Sequence, residues 1–397
     1  MRTLHVGDET ARQLKNGHPW VIADRFTARW PKNLKPGEIV LLRSPGGDRL
    51  GSALVDPAER VVARLLDADG RTIDRDWIGQ RLRQASALRE ALIDQSRTDC
   101  LRLVNGEGDG LPGLTLDRYG DWLMLQLYTE AWLPHLDLLD AAIGRVFRPS
   151  GLYLKHRPKQ TRELAKADPS ELVRLVSGRP APDVLTVQEN GLDFLVRLNE
   201  GLHTGLFLDL RDQRVRFRQL ARDRRVLNLF CFTGAFSVAA LAGGARQVVS
   251  VDAARGYLDW CRDNIAANGL PGERSELVRG DCFKVLGRFR EQRRSFDLVF
   301  VDPPSFSTVG KKRFTTRQGT AELFAELLPL VEPGGLIMAC SNHQKIDWPD
   351  YFRELRRAAV RAGRSLQVLT TCGQGADFPS TVAFGEGRYL KVALLRA

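Results

Sequence analysis

The chain has 397 residues, of which 43% are hydrophobic and 27% charged, and it carries a formal net charge of +11. That length implies two or three domains, and the absence of any run of about 18 apolar residues speaks against a membrane-spanning helix. The basic balance favours a polyanionic partner, with nucleic acid first, and the opening "MRTLHVGDETARQLKNG", which lacks an apolar signal core, suits a cytoplasmic protein.

In chain order, residues 1–70 carry the β-type runs "GEIVLL" (37–42), "RLGSALV" (49–55) and "RVVARLL" (60–66), separated by "RSPGGD" and "DPAE". Short strands between Pro/Gly turns predict a small barrel. Within "DWIGQRLRQASALREALIDQ" (76–95), Trp77, Ile78, Leu82, Ala85, Leu88, Ala91 and Leu92 repeat at three- and four-residue spacing, which predicts one face of a helix. "LRLVNGEGDGLPGLTLDRYGDWLMLQLY" (101–128) reads as strand, Gly-rich loop and hairpin. A helix over 131–146 and the strand "GLYLKH" (151–156) complete an α+β unit over 71–178. The Pro-rich, polar "SGRPAPDV" (177–184) marks the boundary to a third region, 179–397.

There the texture changes. "RRVLNLFCFTGAFSVAALAGGARQVVSVD" (224–252) reads as strand, turn, helix, strand, and "YLDWCRDNIAANGL" (257–270) as a helix. "SELVRGDCF" (275–283) reads as a strand leading to a loop, and "FDLVFVDPP" as a strand ending at Asp302. "GTAELFAELLPLV" (319–331) reads as a helix and "GGLIMACS" (334–341) as a strand. Alternating strands and helices predict an α/β fold with a doubly wound, largely parallel sheet. Its strands, buried on both faces, read as continuous apolar runs such as "LVFV".

Ligands of such sheets bind at the carboxyl ends of the strands. Standing there are the loop Asn228–Gly234, Asp252, Asp281, Asp302 and Cys340. The first loop has Gly234 alone between bulky neighbours, so it is no phosphate cradle of the G-x-G-x-x-G kind. Asp252 suits ribose hydroxyls. A ribose without phosphates points to S-adenosylmethionine, with Asp281 reaching the adenine amino group and Cys282 and Phe283 beside the ring. The alternative is that these acids cap the following helices. The six cysteines show no zinc-ligand or redox spacing, so no metal is expected and the thiols should be free.

"NLFCFTGAFSVAA", "SVD", "GDCF" and "DPPSF" resemble the cofactor motifs of class I methyltransferases. With "LKNGHPWV" (14–21), "RLVNGEGDGLPGLTLDRYGD" (102–121), "GLHTGLFLDLRDQR" (201–214) and "QGADFPS…EGRYLK" (374–391), nearly the whole chain resembles the PUA-containing 23S ribosomal RNA methyltransferases that act on cytosine C5. The resemblance implies a PUA-like β-barrel over 1–70, a middle α+β domain over 71–178 and a Rossmann-like methyltransferase domain over 179–397. It implies S-adenosylmethionine contacts from Phe207, Asp209, Asn228, Phe230, Thr233, Gly234, Asp252, Asp281, Cys282, Phe283 and Asp302. Large-subunit rRNA is the implied substrate, and members of the family can pair as homodimers.

Asp302 with Pro303 and Pro304 resembles the family's catalytic turn, where rigid prolines hold a base and the cofactor methyl in one pose. A carboxyl group there suits the N3/N4 edge of cytosine. Carbon 5 of cytosine is a poor nucleophile until a thiolate adds at C6, and Cys340 matches the family's cysteine motif after the fifth strand. A basic RNA groove would lower its pKa. Cys231 and Cys282 read as pocket-lining, and Asp302 or water serves as the base for the C5 proton. Arg12, Lys15, His18 and Trp20, "KKRF" (311–314) with Lys311, Lys312 and Arg313, and "KHRPKQTR" (155–162) are the RNA-binding candidates. Part of "SFSTVGKKRFTTRQG" also resembles a guanine-N7 methyltransferase domain, whose target needs no thiolate. A small-molecule methyltransferase and a non-catalytic RNA-binding assembly factor are the remaining alternatives.

Overall fold

Successive side chains of a strand point to opposite faces, and "IVLLR" buries one of them: Val40 and Leu42 are buried between half-exposed neighbours. A computed structural model describes residues 1–156, 173–199, 203–304, 306–309 and 312–397. The chain forms two units. The first holds Met1–Val187, Arg197–Thr204 and Ala376–Arg388; the second holds Gln188–Val196, Gly205–Gly375 and Tyr389–Ala397.

The first unit begins with a five-stranded sheet of β1 (Arg2–His5), β2 (Trp20–Ile22), β3 (Ile39–Arg43), β4 (Arg49–Val55) and β5 (Val61–Asp67), in the order β1-β3-β4-β5-β2, with α1 at Asp8–Lys15. Its own core includes Val21, Val40, Leu42, Ala53 and Ala63. A second sheet, ordered β10-β9-β8-β7-β6, contains β6 (Cys100–Asn105), β7 (Leu114–Tyr119), β8 (Trp122–Leu127), β9 (Gly151–His156) and β10 (Val173–Gly178). The helices α2 (Arg75–Leu92) and α3 (Leu136–Phe147) join Trp77, Ile78, Leu82, Leu139 and Ile143 to this sheet's core. Helix α2 starts where Asp74 accepts the Trp77 N–H at 2.7 Å. Strands β8 and β9 run parallel, and α3 is the crossover such a pair needs.

A hairpin of β11 (Leu185–Glu189) and β12 (Leu192–Val196) turns at Asn190 and Gly191, both at positive φ, as a tight hairpin turn requires. The second unit then builds a seven-stranded sheet. Its strands are β13 (Arg225–Leu229), β14 (Gln247–Asp252), β15 (Ser275–Arg279), β16 (Phe296–Val301), β19 (Val331–Ser341), β20 (Gln367–Cys372) and β21 (Lys391–Arg396); β17 (Phe306–Val309) and β18 (Lys312–Thr315) form a separate hairpin. The order is β15-β14-β13-β16-β19-β21-β20. The first five strands are parallel, and β21 runs against both neighbours. Helices α4 (Arg211–Leu220), α5 (Ala235–Ala242), α6 (Arg255–Ala267), α7 (Cys282–Glu291), α8 (Thr316–Leu327) and α9 (Trp348–Arg361) accompany the strands.

The run "LVFV" is buried on both sides, as a central parallel strand demands. Val299 and Val301 join the core that includes Leu286, Leu327 and Leu355, while Phe300 meets Phe217 and Phe236. The connections diverge between the neighbours β13 and β16, and this switch point opens a crevice beyond their carboxyl ends.

The fold corrects several expectations. "GDCF" does not lead into a loop: Cys282 opens α7, because Asp281 accepts the Lys284 N–H and caps it. The helix expected over 319–331 is α8 followed by a 3-10 turn at Leu328–Leu330. Helices α4 and α9, strands β20 and β21, and the hairpin after Pro304 add to the expected elements, although α9 is legible as a helix from Tyr351, Leu355, Ala358 and Ala359 at three- and four-residue spacing.

Candidate active site

The strand registers assemble the site by themselves. Asp252 pairs with Arg279, Leu229 with both Val251 and Val301, Val301 with Ala339, and Val392 with both Cys340 and Cys372. One residue past the last pair of each parallel ladder, the sheet edge therefore reads Asp252, Phe230, Asp302, Cys340. At about 4.8 Å between neighbouring strands, Asp302 and Cys340 stand one strand apart. Asp252 and Asp302 stand two strands apart, about 10 Å.

On the β14 side, Asp252 Oδ2 accepts the Phe232 N–H and Oδ1 the Ala254 N–H, both at 3.0 Å. Each oxygen keeps a lone pair for a further donor. Partial burial pushes this carboxyl group's pKa up, against the pull of those N–H bonds. The loop after β13 is strained: Phe230 and Phe232 lie at φ of 56° and 51°, a region bulky side chains avoid. It is pinned in return. Thr233 Oγ1 donates to Gly205 O at 2.6 Å, and Asn264 Nδ2 donates to Thr233 O at 2.8 Å. Gly234, at φ 80°, tolerates no side chain, because a Cβ there would run into the Cys261 sulfur. Phe207, 43% exposed, tilts over Phe232, which in turn meets Tyr257. An exposed aromatic beside a carboxylate with open lone pairs, at a loop too crowded for a pyrophosphate, fits an adenosine without phosphates.

Not every expected cofactor contact faces this crevice. Asn228 is 1% exposed and its amide donates to Ser237 Oγ at 2.8 Å inside the sheet–helix layer. Its side chain is a packing group. Thr233 is equally buried and ties the loop down. Asp281 spends one oxygen on the cap of α7. Phe230 and Phe283 pack against the core while staying partly exposed. Cys282 is buried, which pushes its thiol up to about 12, and the Cys261 contact, followed by burial, raises Cys231. Both shifts favour the thiol.

On the β16–β19 side, Asp302 is half-buried, yet its Oδ1 is shut off from water and meets no hydrogen-bond partner among the described residues. Desolvation, and then repulsion from Asp209, push its pKa up to about 7. Cys340 is 0% exposed. Burial raises its thiol well above the ordinary value, with Asp302, Asp209 and Cys372 adding to the effect. This runs against the expectation of a lowered pKa: burial first, and then the Asp302 and Asp209 carboxyl groups, favour the thiol over the thiolate. Tyr351 donates its hydroxyl to Cys340 O at 3.2 Å. Tyr389 donates to Asp209 Oδ2 at 2.7 Å. The buried Lys391 ammonium donates to Tyr389 O at 2.9 Å and His343 O at 3.2 Å. Tyr257, Tyr351, Tyr389 and Lys391 were not singled out from the sequence, since each finds its partner through the fold.

Among the expected RNA contacts, the four from the first seventy residues all have partners in their own unit. Arg12 pairs with Glu9, and Lys15 with Asp48 at 2.7 Å. Both pairs are exposed, so each can be exchanged for a phosphate at little cost. Trp20 is committed elsewhere: its indole N–H donates to Glu107 at 2.7 Å and its ring packs on Phe384. His18 lies 3.4 Å from Glu386. Lys155 is buried, whereas residues 157–162, Lys311 and the side chains of Lys312 and Arg313 lie outside what the structure describes. The described residues hold no group of three or more potential metal ligands.

Comparison with known proteins adds a second line of support. The family model for S-adenosylmethionine-dependent methyltransferase matches residues 102–395, and the PUA-like domain model matches residues 4–68. A protein from Cronobacter sakazakii named ribosomal RNA large subunit methyltransferase I is 35% identical over 387 residues, covering 96% of this chain and 95% of its own. Its namesake from Erwinia tasmaniensis is 34% identical with the same coverage. A solved candidate methyltransferase in complex with SAH superposes with a TM-score of 0.90 at 27% identity, each chain covered in full.

Proposed function

The chain belongs to the S-adenosylmethionine-dependent methyltransferase family, and on that premise we propose that it methylates carbon 5 of a cytosine in large-subunit ribosomal RNA. The relatives named ribosomal RNA large subunit methyltransferase I support that substrate. The observation that carries the chemistry is the register that sets Asp302 beside Cys340 at the mouth of the sheet.

Asp252 holds the ribose hydroxyls of the cofactor, and Phe207, Phe283 and Asp281 line its adenine. S-adenosylmethionine, when bound, supplies an electrophilic sulfonium methyl group. Cys340 adds through sulfur to C6 of the cytosine. The C5–C6 π pair moves to C4–C5, and the C4–N3 pair moves onto N3. Asp302 gives its proton to N3 and takes the proton that leaves the thiol. Both partners stay neutral outside the moment of transfer, which suits a site where burial penalises thiolate and carboxylate alike. The adduct makes C5 electron-rich; after methylation, Asp302 returns its proton to the departing sulfur and takes up either the C5 or the N3 proton, the other passing to water, as the C5–C6 and N3–C4 double bonds re-form.

The segment 1–70, with Arg12 and Lys15 at its surface, serves as an RNA-binding domain beside a middle domain over 71–178 and a catalytic domain over 179–397. The basic run Lys311, Lys312 and Arg313, which follows Pro304 in the sequence, grips the backbone of the flipped nucleotide. A cytoplasmic location and a homodimer accord with this reading.

Mapping of modified nucleosides in ribosomal RNA from a strain lacking the gene tests it. One 5-methylcytosine of the large subunit should vanish, return with the wild-type gene, and stay absent with Cys340→Ala, whose protein should still bind S-adenosylmethionine in calorimetry. One observation favours a second reading: a buried, protonated Cys340 is no handicap for methyl transfer to guanine N7, which is nucleophilic unaided. Full activity of Cys340→Ala, with loss of a 7-methylguanine in the deletion strain, would establish that reading instead.

A further inference from the structure

The backbone ladder between β19 and β21 runs as far as Ser341 and Lys391. Carried two residues further, the same register leads to His343 and Tyr389. The Lys391 ammonium donates to the carbonyl of each, at 3.2 Å to His343 and 2.9 Å to Tyr389. One side chain thus joins the two strands beyond the last rung of the ladder. Lys391 is 5% exposed, and a buried ammonium has to be met by acceptors. Burial pushes its pKa down, while the Asp347 carboxyl group pulls it back.

The tie acts on the turn that follows Cys340. Cys340 itself is paired with Val392, and the Tyr351 hydroxyl holds its carbonyl at 3.2 Å. Past Ser341 the chain leaves the sheet. Ser341 Oγ accepts the His343 N–H at 3.4 Å, and His343 O accepts the Ile346 N–H at 3.2 Å, which closes a turn. Asp347 then caps α9 by accepting the Asp350 N–H at 2.8 Å. These bonds lie within one short stretch; the bond from Lys391 fastens that stretch to the neighbouring strand.

We infer that Lys391 is a positioning residue: its ammonium fixes the turn 342–346 against β21, so that Cys340 and the wall beside it meet the substrate base in one pose. That Cys340 attacks the base rests on the cytosine reading above; the hold on the turn does not. A hydrogen bond from a charged donor is stronger than a neutral one, which suits a single side chain that secures a whole turn. Misplacement of a reacting group by about 1 Å can cost about 10²-fold in rate. The cofactor is held elsewhere. Asp252 stands on β14, four strands from β21 and so about 19 Å away. Loss of the tie should therefore reach catalysis without reaching S-adenosylmethionine.

Lys391→Met keeps the length and apolar stem of the side chain and removes its donors. In the full-length protein without RNA, hydrogen–deuterium exchange read by mass spectrometry should speed up in the peptide covering 341–347 and stay unchanged over β13 and β14. Calorimetry should show unchanged S-adenosylmethionine binding. Methyl transfer to large-subunit RNA should fall by about 10²-fold in kcat, with KM for the RNA close to normal. Lys391→Arg, which keeps the charge and the donors, should recover part of the rate, a rescue that a merely structural role would not produce. Lys391→Gln, too short to reach both carbonyls, takes the same readings where Lys391→Met does not fold. Unchanged exchange over 341–347 overturns the inference whichever base is methylated. Faster exchange with a normal kcat overturns the positioning role. So does a normal kcat with weaker RNA binding and a shallower salt slope, which would make Lys391 a phosphate contact. Faster exchange with a lowered kcat in a chain that forms 7-methylguanine supports the hold on the turn and removes only the reading of the base.

Discussion

Arg89 in the first unit and Asp302 in the second both take charge-bearing atoms out of water, and they are treated in opposite ways. Every donor of Arg89 is met. Its guanidinium pairs with both oxygens of Asp109 at 2.6 and 2.8 Å, and it donates to the carbonyls of Arg102, Ala85 and Asp377. Asp302 Oδ1 has no partner among the described residues. Buried polar atoms are nearly always satisfied, and the exceptions gather where a structure does chemistry. Arg89 is therefore a strut. Asp302 is a tool whose partner arrives with the substrate.

Breaking each in turn sharpens that contrast. Arg89→Ala strands the buried Asp109 carboxylate. It should cost about 3–5 kcal/mol of stability, read by urea unfolding, and leave methyl transfer per folded molecule close to normal. Asp302→Asn should do the reverse and lower methyl transfer by about 10²–10⁴-fold. Its effect on stability has a definite sign. The folded Asp302 keeps its proton to about pH 7, whereas an unfolded aspartate loses it near pH 3.9. The native state thus binds more protons between those values, and Asp302 weakens the fold progressively as pH rises through that window. Asp302→Asn should flatten this slope and match or exceed wild-type stability at pH 8; lower stability there would mean that the carboxyl group is a strut after all.

Asp252→Asn removes a charge but leaves an oxygen acceptor. It should weaken S-adenosylmethionine binding by about 10–100-fold in calorimetry, corresponding to the ~1.5–3 kcal/mol of hydrogen bonds to an ionised partner. Lys15→Ala breaks an exposed ion pair of less than about 1 kcal/mol. Its trace should be confined to RNA affinity, with the salt slope shallower by about one. An unchanged slope would remove Lys15 from the RNA footprint.

The same contrast explains what the sequence discloses. "LVFV" followed by Asp-Pro-Pro names both a strand buried on two faces and an acid at its carboxyl end, so the position of Asp302 is legible residue by residue. Cys340 and Asp252 follow by the same rule, because the register of a parallel sheet brings strand ends to one edge. What the sequence hides is partnership across long separations. Asp209 and Tyr389 are 180 residues apart, and although both lie in stretches that resemble the family, nothing in either stretch pairs them. Trp20 looks like a free stacking platform until Glu107, 87 positions on, takes its N–H. Asn228 shares the first strand's apolar run and proves to be held by Ser237. The raised thiol of Cys340 was hidden too, since it depends first on burial and then on Asp302 and Asp209, which come from separate stretches.

The most direct test of the pairing of Cys340 with Asp302 is to trap the adduct. Large-subunit ribosomal RNA carrying 5-fluorocytosine can be incubated with the full chain and S-adenosylmethionine. Fluorine cannot leave C5 as a proton does, so elimination stops and sulfur stays bonded to C6. A protein–RNA species that survives denaturing electrophoresis, maps by mass spectrometry to the peptide holding Cys340 and is lost in Cys340→Ala is the predicted result. Methylation of the unmodified RNA by Cys340→Ala at the wild-type rate, with no trapped species from the wild type, would contradict it.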